Sequence, residues 1–341
     1  PARNATPTRP SRIQVTQPNP WLQRGVPTSN TSIIGVKPRG SQDAASPCAR
    51  PCSWKPWPRF FGKSANGLFY GIEHEFEVID RRTTFFARLL AEATRPTGLF
   101  YYKQDGSLHH GIEMVSHPMS FNFFDKRYPD AVKVLLAQHT TNQYNGVEQC
   151  GIHIHMSRDA FGRAGPVYSR GKYQRRRGAP AYHLFKFVKF IQDNAPMVQF
   201  VAGRKGCVIH GDEMCDYTPE SLGGAYYVRN GKEGYSYDLF LKQVAGGRAV
   251  PSRRYVAVNL QNEKTVELRI FKTTQNHKRL RAYVQFADAA FYFTKKARWH
   301  EKKNPLGTGL NEVAFRAYVK RFPVRYYDLW QVLTGNPEWA V

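Results

Sequence analysis

Hydrophobic and polar residues alternate along four short segments of the chain, which is the period of a β-strand. The segments are FYGIEHEFEVI at 69–79, GIEMVSHP at 111–118, CGIHIHMS at 150–157 and TVELRIF at 265–271. Each predicted strand has one apolar face and one face that carries Glu, His or Arg. GLFYYKQDGSL and RYVAVNL predict strand partners for the second and fourth segments, around turns at Asp105-Gly106 and Asn262-Glu263.

Helical spacing of apolar residues predicts the remaining elements. We expect helices at Thr83–Ala93, 129–140, Tyr182–Val201, Arg279–Lys296, Asn311–Arg321 and Tyr327–Leu333. In the third of them, Leu184, Phe187, Val188 and Ile191 fall on one face. Because strands and helices are grouped and do not alternate strictly, the pattern predicts an α+β fold with an antiparallel sheet.

The first part of the chain lacks this patterning. Residues 1–58 hold eleven of the 22 prolines, so we expect a Pro-rich basic arm that is disordered or bound to a partner. A long basic loop is predicted at 159–180, within a globular region that spans 59–341. No apolar run is long enough for a transmembrane helix and no apolar signal core is evident, so we expect no membrane association.

Charge and cysteine content bear on partners and compartment. The 341 residues carry a formal net charge of +24, which favours contact with a polyanion such as nucleic acid, through the arm and the loop 159–180. Five cysteines, an odd number in a chain of this size, argue against a disulfide scaffold and favour a reducing, cytoplasmic compartment. Cys48 and Cys52 lack a second pair at zinc-site spacing, which argues against a structural zinc site.

The polar faces of the predicted strands carry candidate chemistry. Glu73, Glu75 and Glu77 share one strand face, where like charges repel unless a positive charge lies among them. A solvated sheet face would account for any one strand alone. Four strands that collect carboxylates and imidazoles in so basic a chain favour divalent cations instead, Mg²⁺ or Mn²⁺. Arg269, two residues after Glu267, suggests that the cations bind a phosphate.

These motifs also resemble those of a known family. GIEHEFEV, DGSL…GIEMVSHP, CGIHIHMS and RYVAVNLQNEKTVELRIF occur in the order found in the amidoligases. These are carboxylate–amine ligases of the glutamine synthetase and glutamate–cysteine ligase superfamily. The resemblance covers about 68–322. It implies a glutamine-synthetase-like catalytic domain, in which an antiparallel sheet forms a funnel with helices on its outer face.

By position, the resemblance also implies roles for individual residues. It implies metal ligands at Glu73, Glu75, Glu113, His153 and Glu267. His155 is expected to face the nucleotide phosphates and Arg269 to bind them, with Arg269 and Glu75 in catalytic roles. The implied cofactors are ATP and Mg²⁺ or Mn²⁺.

The function that follows is ADP-forming ligation of a carboxylate to an amine through an acyl phosphate. The resemblance leaves open which acid and amine react, with peptides and proteins among the candidates, and whether the chain is an oligomer. The alternative hypothesis is a ligase-fold domain recruited as a basic structural or nucleic-acid-associated component of a virion or ribonucleoprotein. Under that hypothesis the location is virion-associated.

Five further residues have simpler interpretations. Glu77 is expected to support its neighbours or form a salt bridge, and His74 to be a packed, hydrogen-bonded histidine on the apolar face. Asp105 is expected to cap its turn, and Cys150 to be a small buried residue. Arg204 is a candidate for binding a substrate carboxylate or a nucleotide phosphate, with a surface role as the alternative.

Overall fold

A computed structural model describes the larger part of the chain. The described residues are 55–79, 82–136, 140–141, 143–144, 147–148, 150–162, 168–169, 172–173, 180–204, 208–209, 212–213, 226–229, 232–235, 256–262, 264–297 and 309–340. Nearly all of the predicted arm, most of the loop 159–180, and four of the cysteines (Cys48, Cys52, Cys207 and Cys215) lie outside these residues. The predictions for them remain predictions, as does the boundary between the arm and the globular region.

The structure combines an antiparallel sheet with helices, which confirms the α+β prediction. The seven strands of the main sheet are β1 (Tyr70–Val78), β2 (Phe100–Lys103), β3 (Gly111–Ser116), β4 (Thr140–Thr141), β5 (Gly151–Ser157), β6 (Val258–Asn259) and β7 (Thr265–Lys272). Their order is β6-β7-β5-β1-β3-β2, with β4 beside β1, and neighbouring strands run antiparallel. The four strands that were predicted to carry the polar faces therefore lie side by side in the middle of one sheet.

Helices and short hairpins complete the described structure. The helices are α1 (Thr83–Thr94), α2 (Phe121–Leu136), α3 (Pro180–Asp193), α4 (Ala195–Ala202), α5 (His277–Lys296), α6 (Glu312–Lys320) and α7 (Tyr327–Leu333). Single 3₁₀ turns occur at Arg95–Thr97, Arg158–Phe161 and Pro337–Trp339. Two-stranded hairpins pair Gln143–Tyr144 with Val147–Glu148, Tyr168–Ser169 with Lys172–Tyr173, Val208–Ile209 with Asp212–Glu213, and Tyr226–Arg229 with Lys232–Tyr235. Among the described residues, no helix is long and apolar enough to cross a membrane.

The apolar face of the sheet packs against helix α5. Ile72, Ile154 and Leu268, from three adjacent strands, are fully buried. On β7, the ring of Phe271 stacks on that of Tyr283 of α5, with 4.5 Å between the ring centroids. Because one face of the sheet is filled by this core, the alternating polar residues must point to the opposite face.

A buried carboxylate joins β1 to the C-terminal helices. Asp288 of α5 accepts hydrogen bonds from the hydroxyl groups of Tyr70 (2.7 Å) and Tyr326 (2.9 Å), and from two nitrogens of Arg325 (2.8 and 3.0 Å). Asp288 is almost completely buried, so these donors replace the water that its charge has lost. The start of β1, three residues before Glu73, is thereby fixed to α5.

One predicted helix is in fact two. The segment Tyr182–Val201 breaks at Asn194, whose backbone (φ −115°, ψ 31°) is not helical. Pro196, in the first turn of α4, has no N–H to donate, and its ring would clash with a carbonyl one turn earlier in a continuous helix. The Asn194 side chain donates to the carbonyls of Phe190 and Leu310, each at 2.8 Å, which stabilises the break.

One other helix prediction has wrong limits, whereas α1 extends one residue beyond its predicted end. The helix expected at 129–140 begins at Phe121, because Ser120 caps it: the Ser120 hydroxyl accepts from the backbone N–H of Phe123 at 3.3 Å. Phe121, Phe124 and Tyr128 are buried, so its apolar stripe begins with the helix and was missed there. On α1, Leu89 is exposed and Ala87 is buried, the reverse of what side-chain size suggests, because the helix faces the core through Phe86 and Leu90.

Candidate active site

The polar face of the sheet is buried, which rules out the interpretation as a solvated face. Glu75, Glu113 and Glu267 have only 5%, 3% and 3% of their surface exposed, and Arg269 has 9%. Buried charges persist only when they are paired or bind an ion, since removal from water is costly. The face therefore needs internal partners, and their positions define the site.

Strand register brings the predicted residues together. On β1 and β3, Glu75 lies directly opposite Glu113, and on β1 and β5, Glu73 lies directly opposite His153. Glu267 of β7 lies directly opposite His155 of β5. Directly opposed residues share a sheet face, so four strands deliver their polar side chains to one region.

The pairing of β7 with β5 is irregular after Leu268. Leu268 is opposite Ile154 and Phe271 is opposite Ile152, so the two residues between them oppose the single residue His153, as in a β-bulge. Arg269, two residues after Glu267, lies on the polar face, where its Nη1 is 2.5 Å from Glu267 Oε1. The bulge brings Phe271 to the position opposite Ile152 that alternation would give to Ile270. The strict alternation expected for TVELRIF ends at this bulge.

His153 stands between three carboxylates. Its Nδ1 lies 3.4 Å from Glu73 Oε2 and 3.7 Å from Glu267 Oε1, and its Nε2 lies 3.7 Å from Glu75 Oε1. The predicted role of His153 as a metal ligand remains a prediction. The distances show that it separates carboxylates that would otherwise repel one another.

One set of three donors is compact enough to hold a cation. One ligand atom each from Glu73, His155 and Glu267 lie within 4.8 Å of one another. Among the described residues His155 Nε2 makes no hydrogen bond, although it lies 3.2 Å from Glu73 Oε1, while Nδ1 of the same ring lies 3.0 Å from the Thr265 hydroxyl. The Thr265 hydroxyl fixes the ring, so the buried nitrogen faces two carboxylates. This arrangement fits a divalent cation such as Mn²⁺ or Mg²⁺. The histidine of this group is His155, which the resemblance had assigned to the phosphates.

Two members of this group, Glu73 and His155, have pKa values that are shifted in opposite directions. Burial alone would raise the pKa of Glu73, but the charge of His155, together with the hydrogen bond and charge of His153, holds it well below its usual range. Burial would lower the pKa of His155, and the carboxylates of Glu73 and Glu267 raise it to about 9. At neutral pH the imidazolium thus supplies the positive charge that Glu73 requires.

Both carboxylate oxygens of Glu267 accept hydrogen bonds. Its Oε1 accepts from Arg269, and its Oε2 accepts from the side-chain amides of Asn259 at 2.8 Å and Asn262 at 2.9 Å. Burial would raise the pKa of Glu267, but His155 and Arg269 lower it. The carboxylate is therefore held ionised in one orientation, as expected of a group that positions a cation or an arginine.

Glu75 has fewer partners. Its Oε2 accepts from the backbone N–H of Gly151 at 2.8 Å, and its backbone carbonyl accepts from the Thr273 hydroxyl at 2.7 Å. Burial raises the pKa of the Glu75 carboxyl, against the opposing charge of His153. Its Oε1 faces His153 Nε2 at 3.7 Å, so the charge of Glu75 is less fully compensated than that of Glu267.

Glu113 is joined to a lysine that the motifs did not single out. Lys103 Nζ lies 2.8 Å from Glu113 Oε2, and both side chains are buried. Burial and the charge of Glu73 raise the pKa of Glu113 to about 8, although Lys103 opposes that shift. The predicted metal ligand is thus occupied by an ammonium group in this structure.

Arg204 lies in the site and not at the surface. It follows α4, is 6% exposed, and has its Nη1 only 2.8 Å from the point that a Cβ on Gly151 would occupy. His153 Nε2 is 3.4 Å from the same point. The absence of a side chain at residue 151 therefore gives the guanidinium its place beside His153 and Glu75. Its predicted contact with phosphate or carboxylate remains a prediction.

The simpler interpretations mostly hold. Glu77 accepts from the backbone N–H groups of His109 and His110 at 2.9 and 2.8 Å, so it fixes the turn before β3. Asp105 caps its turn by accepting from the amide and hydroxyl of Ser107. Cys150 is a buried free thiol whose pKa is raised by burial. His74 is packed edge-on against Phe76, but its Nδ1 makes no hydrogen bond with the described residues, contrary to expectation.

Four partners of the site were missed by the sequence analysis: Lys103, Asn259, Asn262 and Thr265. Asn259 lies directly opposite Glu267 in the β6–β7 pair, and the turn at Asn262 was itself predicted. A two-residue turn at Asn262-Glu263 would have paired Asn259 with Val266, and only the observed register brings it opposite Glu267. A turn at Asp105-Gly106 would likewise have paired Lys103 with Leu108, whereas the observed register pairs it with Glu113.

Comparison with known proteins adds little to this geometry. No family model matches the chain, and no curated protein matches it. A solved structure, a bifunctional glutathione synthetase from Pasteurella multocida, matches 80% of this chain with 12% identity and a TM-score of 0.38. The match covers 45% of that protein, so the chain spans about half its length. A likeness this slight carries no argument, and the proposal below rests on the residues of the site.

Proposed function

We propose that this chain is an ATP-dependent carboxylate–amine ligase that forms ADP, with a glutamine-synthetase-like catalytic domain. The observation that carries the proposal is the buried pair of Glu267 and Arg269 beside the three-donor group Glu73–His155–Glu267. A cation site and a guanidinium on one carboxylate form an arrangement suited to a polyphosphate. The order of the four strand motifs supports a ligase among the enzymes that bind ATP in this way.

The residues present fit Mg²⁺ or Mn²⁺ with ATP. Glu73, His155 and Glu267 would hold the ion, which when bound neutralises charge on phosphate oxygens. Arg269 would bind the transferring phosphoryl group directly, and the buried Arg204, beside Gly151, offers a second guanidinium. His155 thereby changes from a predicted phosphate contact to a proposed cation ligand, while Glu75 and His153 would support the group from β1 and β5.

The proposed chemistry makes an unreactive acid electrophilic. A carboxylate oxygen attacks the γ-phosphorus of ATP, the bond to the β-phosphate oxygen breaks, and ADP leaves. The amine nitrogen then attacks the acyl carbon, phosphate leaves with the former carboxylate oxygen, and the nitrogen loses a proton to give the amide. Arg269 is fixed on Glu267 before ATP binds, so it pays no reorganisation cost as charge develops on the phosphoryl group.

The test is ADP release in the presence of Mg²⁺ and a library of amino acids, acids and short peptides, with and without hydroxylamine. We expect an acid-dependent ADP signal and a hydroxamate from the same acid. In Arg269→Lys the charge is kept but the planar fork is lost, so ATP should still bind while phosphoryl transfer slows by about 10²–10³. Lys278→Met, which removes a half-buried charge at the start of α5 that contacts Glu338, is the matched control and should keep the full rate.

The alternative hypothesis predicts a different result in the same preparation. The net charge of +24 favours a domain that serves a nucleic-acid assembly without turnover. Salt-sensitive co-purification with RNA or DNA, together with no acid-dependent ADP from wild type over the whole library, would favour that hypothesis over the ligase.

A further inference from the structure

Lys103 contacts Glu113, a residue that the sequence motifs predicted to be a metal ligand. Its ammonium is 2.8 Å from Glu113, and the two residues have 6% and 3% of their surface exposed. Among the described residues this is the one hydrogen bond that the ammonium makes. A lysine has three N–H donors, so two of them remain for a ligand oxygen.

Strand register places Lys103 on the site face. Lys103 of β2 lies directly opposite Glu113 of β3, and Glu113 lies directly opposite Glu75 of β1. The three side chains form a row across the sheet beside the three-donor group. Two directly opposed carboxylates, Glu75 and Glu113, would be expected to bind a cation between them if no other positive charge were present.

We propose that the ammonium of Lys103 replaces a divalent cation at the Glu75–Glu113 end of the site, so that the protein binds one such ion, at Glu73–His155–Glu267. In this assignment Glu113 forms an ion pair with Lys103 and does not bind a metal ion. The inference rests on the proposed function only in that the three-donor group binds a divalent ion.

Lys103 then has a role that a dissociable ion cannot fill. Its charge is covalently attached and stays in the site when the divalent ion is removed. With two N–H donors directed by the Glu113 bond, it would contact an oxygen of the transferred phosphoryl group or of the acid substrate. We therefore expect a site that combines one exchangeable cation with one permanent one.

The test counts ions. The full chain is titrated with Mn²⁺ alone, and free Mn²⁺ is measured by electron paramagnetic resonance. Wild type and the control Lys278→Met should bind one Mn²⁺ per chain. Lys103→Met should bind two, because Glu113 is released to hold a second ion with Glu75, and Lys103→Arg should bind one because the charge is kept.

A second variant keeps the test decisive if Lys103→Met does not fold. Glu113→Gln should bind one Mn²⁺ with a Kd within about threefold of wild type. Loss of a residue that only orients a ligand typically weakens binding by about 10–100-fold, and loss of a ligand should weaken it at least as much. Two ions in wild type, one ion in folded Lys103→Met, or a large loss of affinity in Glu113→Gln would overturn the assignment of Lys103 while leaving the ligase proposal intact. No Mn²⁺ binding by wild type would contradict the proposed function and this inference with it.

Discussion

Glu267→Gln should lower the stability of the protein as well as its affinity for a cation. The substitution replaces one oxygen by an NH₂ group. Arg269 donates to one oxygen of Glu267, and the amides of Asn259 and Asn262 donate to the other. In either orientation the new NH₂ faces a donor. Asn259 cannot simply turn over, since its Oδ1 already accepts from the backbone N–H of Gln261 at 2.9 Å.

The expected magnitude follows from these contacts. Removal of one partner of a buried ion pair costs about 3–5 kcal/mol, because the other charge is left uncompensated. We therefore expect the free energy of unfolding, measured by urea denaturation in EDTA, to fall by about that amount in Glu267→Gln. The slope of the free energy against urea should be unchanged, since the native fold remains.

Glu75→Gln is the matched control for this experiment. Its amide oxygen can still accept from the N–H of Gly151, and the substitution removes a charge that faces Glu113. We expect the free energy of unfolding in EDTA to stay within about 1 kcal/mol of wild type, or to rise. If Glu267→Gln were as stable as Glu75→Gln, the hydrogen bonds of Glu267 would not contribute as described.

Three further perturbations probe other parts of the structure. Gly151→Ala should fold, because the guanidinium of Arg204 can move away from the new methyl group, but ATP affinity measured by calorimetry should fall; unchanged affinity would place Arg204 outside the nucleotide site. Tyr70→Phe removes a donor to buried Asp288 and should lower the free energy of unfolding by about 1.5–3 kcal/mol in urea, and no loss would contradict the proposed anchoring of β1. Deletion of residues 1–58 should leave the melting midpoint unchanged and weaken retention on heparin, whereas a collapse of the fold would show that the arm belongs to the domain.

The sheet was predictable because its signal is local. Alternation with period two fixes which residues share a strand face, and β1, β5 and β7 needed no tertiary information. The same rule placed Glu73, His155 and Glu267 on polar faces, and it assigned the alternate residues of these strands to the core. The helix from Phe121 was predicted to begin too late, although the Ser120 cap and the buried Phe124 and Tyr128 are local signals.

Other features depended on relations that a single strand does not display. Pro196 is a local signal for the break at Asn194, but the carbonyl of Leu310 that stabilises the break lies more than a hundred residues away in the chain. The bulge at Arg269 depends on the pairing of β7 with β5, and the pairing of Lys103 with Glu113 depends on the register of a hairpin. Whether a carboxylate faces a metal or an ammonium is decided by such pairings, which is why Glu113 was predicted by motif and Lys103 was missed.

The central claim is that a carboxylate is activated by phosphorylation in this site. It is tested most directly by following oxygen. Wild-type protein with Mg²⁺ and ATP is supplied with a pool of amino acids and dipeptides labelled with ¹⁸O in their carboxyl groups, together with hydroxylamine, and the released phosphate is analysed by mass spectrometry. The account predicts one ¹⁸O atom in each phosphate that the wild type forms. Arg269→Lys should form labelled phosphate more slowly, in proportion to its slower phosphoryl transfer. ADP formation with unlabelled phosphate would contradict an acyl phosphate and the ligase mechanism with it.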